Sequence, residues 1–285
     1  MKITLMTLNM VIPILADYIK DRNMEKCLRS YEEAMAMLAD AGYTHVDVCS
    51  FETKVLGMET VRKVLEKYGM GVGCFICFAS FAADNGNCVE AGLQAVDHAA
   101  NLGTQVVMLV PDAEGTKGKT PEQIRQQLSA NFAPVAAYAR ENGLHPVVED
   151  TPDLQLHFCR AEDVLQVLDC TPGLEVVYDS GNMLLVGEDP VEYLEKVVNR
   201  TAHIHLKDMR LARPDEEYAD MAEDGQGFNI APVGTGLVDL GAVIRKSKEL
   251  GYNGWYTLEF SQHPWMDMKT SLVRSREYIE MCLST

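Results

Sequence analysis

Eight short, apolar, largely β-branched runs alternate along the chain with longer stretches of helical periodicity, and this rhythm restricts the fold more than any other feature. The runs cover 2–9 (KITLMTLN), 44–50 (THVDVCS), 71–78 (GVGCFICF), 104–110 (TQVVMLV), 145–150 (HPVVED), 174–180 (LEVVYDS), 202–208 (AHIHLKD) and 255–260 (WYTLEF). Strands separated by a helix return to the same end of a sheet, so they pair in parallel rather than as hairpins. Helix starts are marked by Ser30 with Glu33, Thr120-Pro121 with Gln123 and Asp189-Pro190 with Glu192, the spacing of a reciprocal N-terminal cap. Gly42, Gly69, Gly103, Gly143 and Gly251 each precede a strand and mark helix ends, because a left-handed cap favours glycine. Eight β/α units without a linker predict one domain over 1–285, a closed (β/α)8 TIM barrel, with an open doubly wound sheet as the alternative.

Composition removes several classes of function. A formal charge of −17 opposes a phosphodiester backbone, so nucleic acid is not an expected partner. No apolar run approaches the roughly 18 residues of a membrane span, and the N-terminal run lacks a signal-peptide cleavage pattern, so a cytoplasmic location and no membrane partner are expected. The eight cysteines are scattered without the spacing of a disulfide scaffold. Cys74 and Cys77 resemble a CxxC pair, but strand alternation would send them to opposite faces.

One connection breaks the rhythm. Between 209 and 239 the chain shows neither helical nor strand periodicity, and a structureless segment of that length inside a compact domain is usually functional or disordered. It follows the seventh strand directly, so it is read as a lid over the same rim, against a solvated insertion or an oligomer contact.

The last four strands each end on a group able to bind a metal or move a proton: Glu149, Asp179, His205 and Glu259. Inward side chains at the C-terminal ends of barrel strands converge over the axis, so residues far apart in sequence can share one cation. A set of three carboxylates and one imidazole suits a single divalent ion, manganese first, with magnesium, cobalt or zinc as alternatives.

HIHLKD at 203–208, DSGN at 179–182 and the ending GLVDLGAVIRKSKELGYNGWYTLEF make the whole chain resemble the sugar phosphate isomerase/epimerase family of xylose isomerase-like barrels. That group includes tagatose 3-epimerases, hydroxypyruvate isomerases and inosose dehydratases. The resemblance implies that Glu149, Asp179, His205 and Glu259 hold the metal. It also implies that Glu149 and Glu259 double as acid/base groups on opposite faces of a carbonyl sugar, with the cation stabilising an enediolate. The epimerase branch carries a His where this chain has Asn182, and an Arg where it has Leu211, with Arg210 and Arg213 nearby.

The chemistry is coherent without the resemblance. A proton α to a carbonyl is weakly acidic, so its removal needs a placed carboxylate and a cation for the oxyanion. Return of the proton gives isomerisation or epimerisation; loss of a β-leaving group gives elimination. The four ligands do not distinguish these outcomes; the resemblance implies a metal-dependent isomerase or epimerase acting on a carbohydrate, keto-sugar or polyol, with a lyase as alternative: an inosose-type dehydratase, or an elimination on an oxidised glycoside with a partner subunit. A homo-oligomer is compatible with the chain. Asn182, Lys207, His203, Glu52, Arg210, Arg213 and His157 are the candidate substrate contacts, and Trp265, Phe78 and Phe260 are candidates for an apolar pocket wall.

Overall fold

The computed structural model describes residues 2–84 and 86–284. All eight anticipated runs form strands: β1 (Ile3–Met6), β2 (His45–Cys49), β3 (Gly71–Ala79), β4 (Val106–Pro111), β5 (His145–Glu149), β6 (Glu175–Asp179), β7 (Thr201–Leu206) and β11 (Tyr256–Leu258). They close into a parallel barrel in the order β1-β11-β7-β6-β5-β4-β3-β2. Closure rests on β1 pairing with β2 on one side and β11 on the other, with Ile3 opposite Tyr256. This closure excludes the open-sheet alternative, and helices wrap the outside.

The period of two in each strand divides its side chains between two cores. Val46, Val48, Phe75, Cys77, Ile204, Leu206 and Leu258 face outward into the barrel–helix layer. Met6, Cys49, Cys74, Ile76, Met108, Val147 and Val177 fill the barrel interior. Cys74 and Cys77 accordingly lie in different cores, as alternation requires.

Two of the three anticipated helix starts hold. Thr120 and Gln123 form the reciprocal cap with Pro121 behind it, and the Asp189 carboxylate accepts the backbone N–H of Val191 and Glu192. Ser30 does not begin a helix: it lies inside Met24–Asp40, whose cap is Asn23, accepting from the Lys26 N–H at 2.9 Å. All five glycine stops have positive φ, as at Gly42 (88°) and Gly251 (86°).

The 209–239 segment is not the structureless loop expected from its pattern. β8 (Asp208–Leu211), β9 (Asp220–Met221) and β10 (Gly227–Ala231) form an antiparallel sheet beside the barrel, with β10 in the middle. Leu185, Met209, Ala222 and Phe228 give it a small core of its own. The strands are only two to five residues long, too short for alternation to stand out in sequence. Among the described residues, no helix is long and apolar enough to cross a membrane.

Candidate metal centre

β5, β6, β7 and β11 are neighbours in the barrel, and their C-terminal ends bring four polar side chains to one point. One potential donor atom from each of Glu149, Asp179, His205 and Glu259 lies within 4.8 Å of all the others. Asp179 and His205 are fully enclosed, while Glu149 and Glu259 are 9% and 6% exposed. His205 Nδ1 stands 2.5 Å from Glu149 Oε1 and 3.4 Å from Glu259 Oε1.

Local chain geometry aims each group. After β6 the chain turns sharply, so that Asp179 Oδ1 accepts the backbone N–H of both Gly181 and Asn182 at 2.8 Å. Oδ2 is buried without a partner. Glu149 Oε1 and His205 Nδ1 are likewise buried without an aligned hydrogen bond, despite their closeness. Buried polar atoms are normally satisfied, and each orphan costs about 1–3 kcal/mol. Three such atoms from three ligand-type residues, converging on one point, fit a bound cation.

The charges support the same reading. Burial would raise the Glu259 carboxyl, but Lys207 and His205 beside it hold it at about 2. Burial pushes Asp179 well up, and the charges of Glu259 and Glu149 add to that push against Lys207. His205 is raised despite its burial, by Glu149 first and then Glu259. Lys207, whose burial alone would favour the neutral amine, is raised by Glu259, Asp179 and Glu149. One ammonium therefore faces three carboxyl groups and an imidazole, and the protons held up on Asp179 and His205 are ones a divalent cation would replace.

Of the expected substrate contacts, Lys207 is the one the structure brings to the cluster. Its ammonium is 3.2 Å from Glu259 Oε2 and donates to Asn182 Oδ1 at 2.9 Å. Asn182 is fully enclosed, and its Nδ2 donates to the Asp150 carbonyl at 2.6 Å, so it orients Lys207 rather than facing open space. His203 lies one inward position deeper on β7, its Nε2 3.1 Å from Asp47 Oδ2 and 2.6 Å from Thr257 Oγ1. Glu52 is committed elsewhere: its carboxylate accepts from Thr7, from Tyr31 OH at 2.7 Å and from the Cys49 N–H at 2.8 Å, closing the start of the Ser50–Leu56 helix.

The remaining three stay outside. Arg210 on β8 pairs with Glu216 of the connection to β9, and the side chain of Arg213 is 74% exposed. His157 is exposed at a left-handed turn (φ 47°), where its carbonyl accepts from Arg125. For the pocket wall, Phe78 stacks on Phe51 at 4.9 Å in a partly exposed pair. Phe260 is buried in the outer core and Trp265 is 85% exposed.

Four acids were not anticipated. Asp47, an acid in mid-strand among apolar neighbours, carried a readable signal and is fully buried in the barrel. Burial would raise its carboxyl, but the His203 and His205 rings and the Thr257 hydroxyl hold it below the usual range. Asp150, next to Glu149, is raised by burial and by the Asp179 and Glu149 charges. Asp208 takes the backbone N–H groups of Met209, Gly234, Gly236 and Val238 on one carboxylate, which fastens the end of the excursion to β8. Asp220, half-buried on β9, feels both Lys207 and Glu259, and no periodicity pointed to it.

A family model described as xylose isomerase-like TIM barrel matches residues 35–281. Inosose dehydratase of Lacticaseibacillus casei is 28% identical over 143 residues, 49% of this chain and 48% of that protein. The chain thus spans about half the length of that curated relative. With inosose dehydratase of Clostridium perfringens the match extends over 268 residues at 23% identity, covering 88% and 89% of the two chains. Among solved structures, D-allulose 3-epimerase from Methylomonas sp. superimposes with a TM-score of 0.70 at 15% identity, over 99% of this chain and 98% of that one. A xylose isomerase-like TIM barrel protein from Mycobacterium smegmatis, in complex with magnesium, gives 0.66 at 17% identity over 90% and 89%.

Proposed function

The chain belongs to the xylose isomerase-like TIM barrel family, and from that premise we propose that it is a divalent-metal-dependent isomerase or epimerase of a sugar or polyol-derived ketone. The observation that carries this reading is the set of orphaned donor atoms on Glu149, Asp179 and His205, with Glu259 closing the ring. Bound there, a divalent cation would supply positive charge for the oxyanion that develops when the adjacent carbon loses its proton. Manganese is the ion we favour, since the imidazole moves the donor set toward transition metals.

In this reading Glu149, which no ammonium contacts, takes the proton. Glu259, paired with Lys207, is the second acid/base group and returns a proton from its own side. Lys207 adds an ammonium to the same site, held by Asn182 Oδ1 and Glu259 Oε2. The low exposure of all these groups strengthens their interactions relative to water.

A second reading, dehydration, is favoured by two observations. The curated relatives are named inosose dehydratases, and the site is asymmetric, with an ammonium beside one glutamate only. A base on one side and a proton donor on the other suits loss of a β-hydroxyl as well as proton return. Both readings share the first step. The test is a set of ketoses, aldoses and keto-inositols incubated with the manganese-loaded protein in D2O and followed by NMR. Deuterium at the carbon α to the carbonyl is expected. Product skeleton then separates the readings: an epimer or isomer supports the first, an unsaturated or deoxygenated ketone the second, and no exchange in any substrate overturns both.

A further inference from the structure

Resting on the metal reading above, we propose that Asp47 is the positioning residue that orients His205 toward the cation, acting through the ring nitrogen opposite the ligating one. Asp47 lies inside the barrel on β2, three strands round from β7, and is 0% exposed. Its Oδ1 accepts from Thr4 Oγ1 at 2.9 Å, and its Oδ2 from Thr257 Oγ1 at 2.6 Å. The site is built around it: a Cβ on Gly73 would stand 2.7 Å from Oδ1.

His205 presents Nδ1 to Glu149 and Glu259, so Nδ1 is the atom available to a cation. A neutral imidazole that ligates through one nitrogen carries its proton on the other. That proton, on Nε2, has no hydrogen-bond partner, and the acceptor facing it is Asp47 Oδ2 at 3.9 Å. Closing this gap to an ordinary hydrogen bond of about 2.9 Å needs a ring shift of about 1 Å.

Charge points the same way. Among the described residues, the ion-pairing partners of Asp47 are two rings, His203 and His205, and no Lys or Arg. A buried carboxylate needs compensating charge, and a cation on the far side of His205 provides it through the ring. Ligating histidines commonly donate their second N–H to such a carboxylate, and losing it typically costs 10–100-fold in metal affinity. The rival is a second cation held by Asp47, His203 and His205, whose donor atoms also lie within 4.8 Å of one another. Against it, Thr257 Oγ1 gives its proton to Asp47 Oδ2 and accepts from His203 Nε2, so that nitrogen has no lone pair for an ion.

The experiment titrates metal-depleted protein with Mn²⁺, reading free Mn²⁺ by electron paramagnetic resonance, in wild type, Asp47→Asn and Thr4→Val. Thr4→Val removes the bond on the Oδ1 side without touching the edge that faces His205. One Mn²⁺ per chain is expected in wild type, with at least about tenfold weaker binding in Asp47→Asn and less than threefold change in Thr4→Val. Equal affinity in Asp47→Asn and wild type overturns the inference, as do equal losses in both variants that track their melting temperatures. A stoichiometry of two falling to one in Asp47→Asn overturns it in favour of the rival. Wild type that binds no Mn²⁺, Mg²⁺ or Zn²⁺ would instead remove the metal reading beneath it. Should Asp47→Asn not fold, ¹⁵N-histidine spectra of zinc-loaded wild type decide: the inference requires His205 protonated on Nε2, and metal on Nε2 overturns it.

Discussion

The ammonium of Lys207 sits between Glu259 Oε2 at 3.2 Å and Asn182 Oδ1 at 2.9 Å, and so ties the last barrel strand to the turn after β6. It is the one Lys or Arg that ion-pairs with any of the four clustered side chains among the described residues. Its neighbours explain its charge state, and its burial makes its removal costly.

Lys207→Met should lower the stability of the metal-free protein by about 3–5 kcal/mol, the scale for leaving a buried charge without its partner. Added Mn²⁺ should recover part of that loss, because the cation compensates the same carboxylates. Thermal melts with and without metal check this, and a loss unaffected by metal would place Lys207 outside the site's charge balance.

His205→Ala and Asp179→Ala should sharply lower metal content after dialysis, measured by elemental analysis; full occupancy in both would falsify the ligand assignment. Binding should also depend on pH. Asp179 and His205 both hold protons above their ordinary ranges when no cation is present. A cation must displace those protons, so affinity should rise with pH and fall as pH drops, on the order of tenfold per unit for each proton displaced. Calorimetric titrations at several pH values test the sign.

Glu149→Gln and Glu259→Gln keep a coordinating oxygen while removing the base. Each should cut turnover by at least about 10²-fold, the usual scale for losing general acid/base catalysis. Exchange of substrate hydrogen into D2O separates them: under the present reading Glu149→Gln loses exchange, whereas Glu259→Gln slows product formation at least as much as exchange. Undiminished exchange in both would leave the glutamates without a catalytic role.

The antiparallel excursion can be removed cleanly, because Leu211 and Phe228 are register partners. Replacing 212–227 with Asn-Gly should give a two-residue hairpin. If β9 and Asp220 act as part of a lid, KM should rise and kcat fall while metal content is unchanged and stability drops by no more than about 1–2 kcal/mol. Unaltered kinetics would remove the lid; a change in oligomeric state would mark the excursion as an interface.

The sequence by itself determined the barrel and the four clustered side chains. Strand alternation and glycine stops are local, and a residue that ends a barrel strand can reach only the C-terminal rim, so Glu149, Asp179, His205 and Glu259 were legible from position alone. What only the tertiary structure decided was which neighbours each group meets across the barrel. Glu52 looked like a rim residue but is taken up by Thr7 and Tyr31, from elements far away in sequence. Asp47 is absent from the sequence-based candidates, yet it faces His203 and His205 from three strands round the barrel. The excursion shows no period in sequence because its strands are too short, and they are held instead by one another and by Met209 and Phe228 packing on Leu185. Such partners come from closure of the sheet, which brings together side chains whose separation along the chain carries no sign that they will meet.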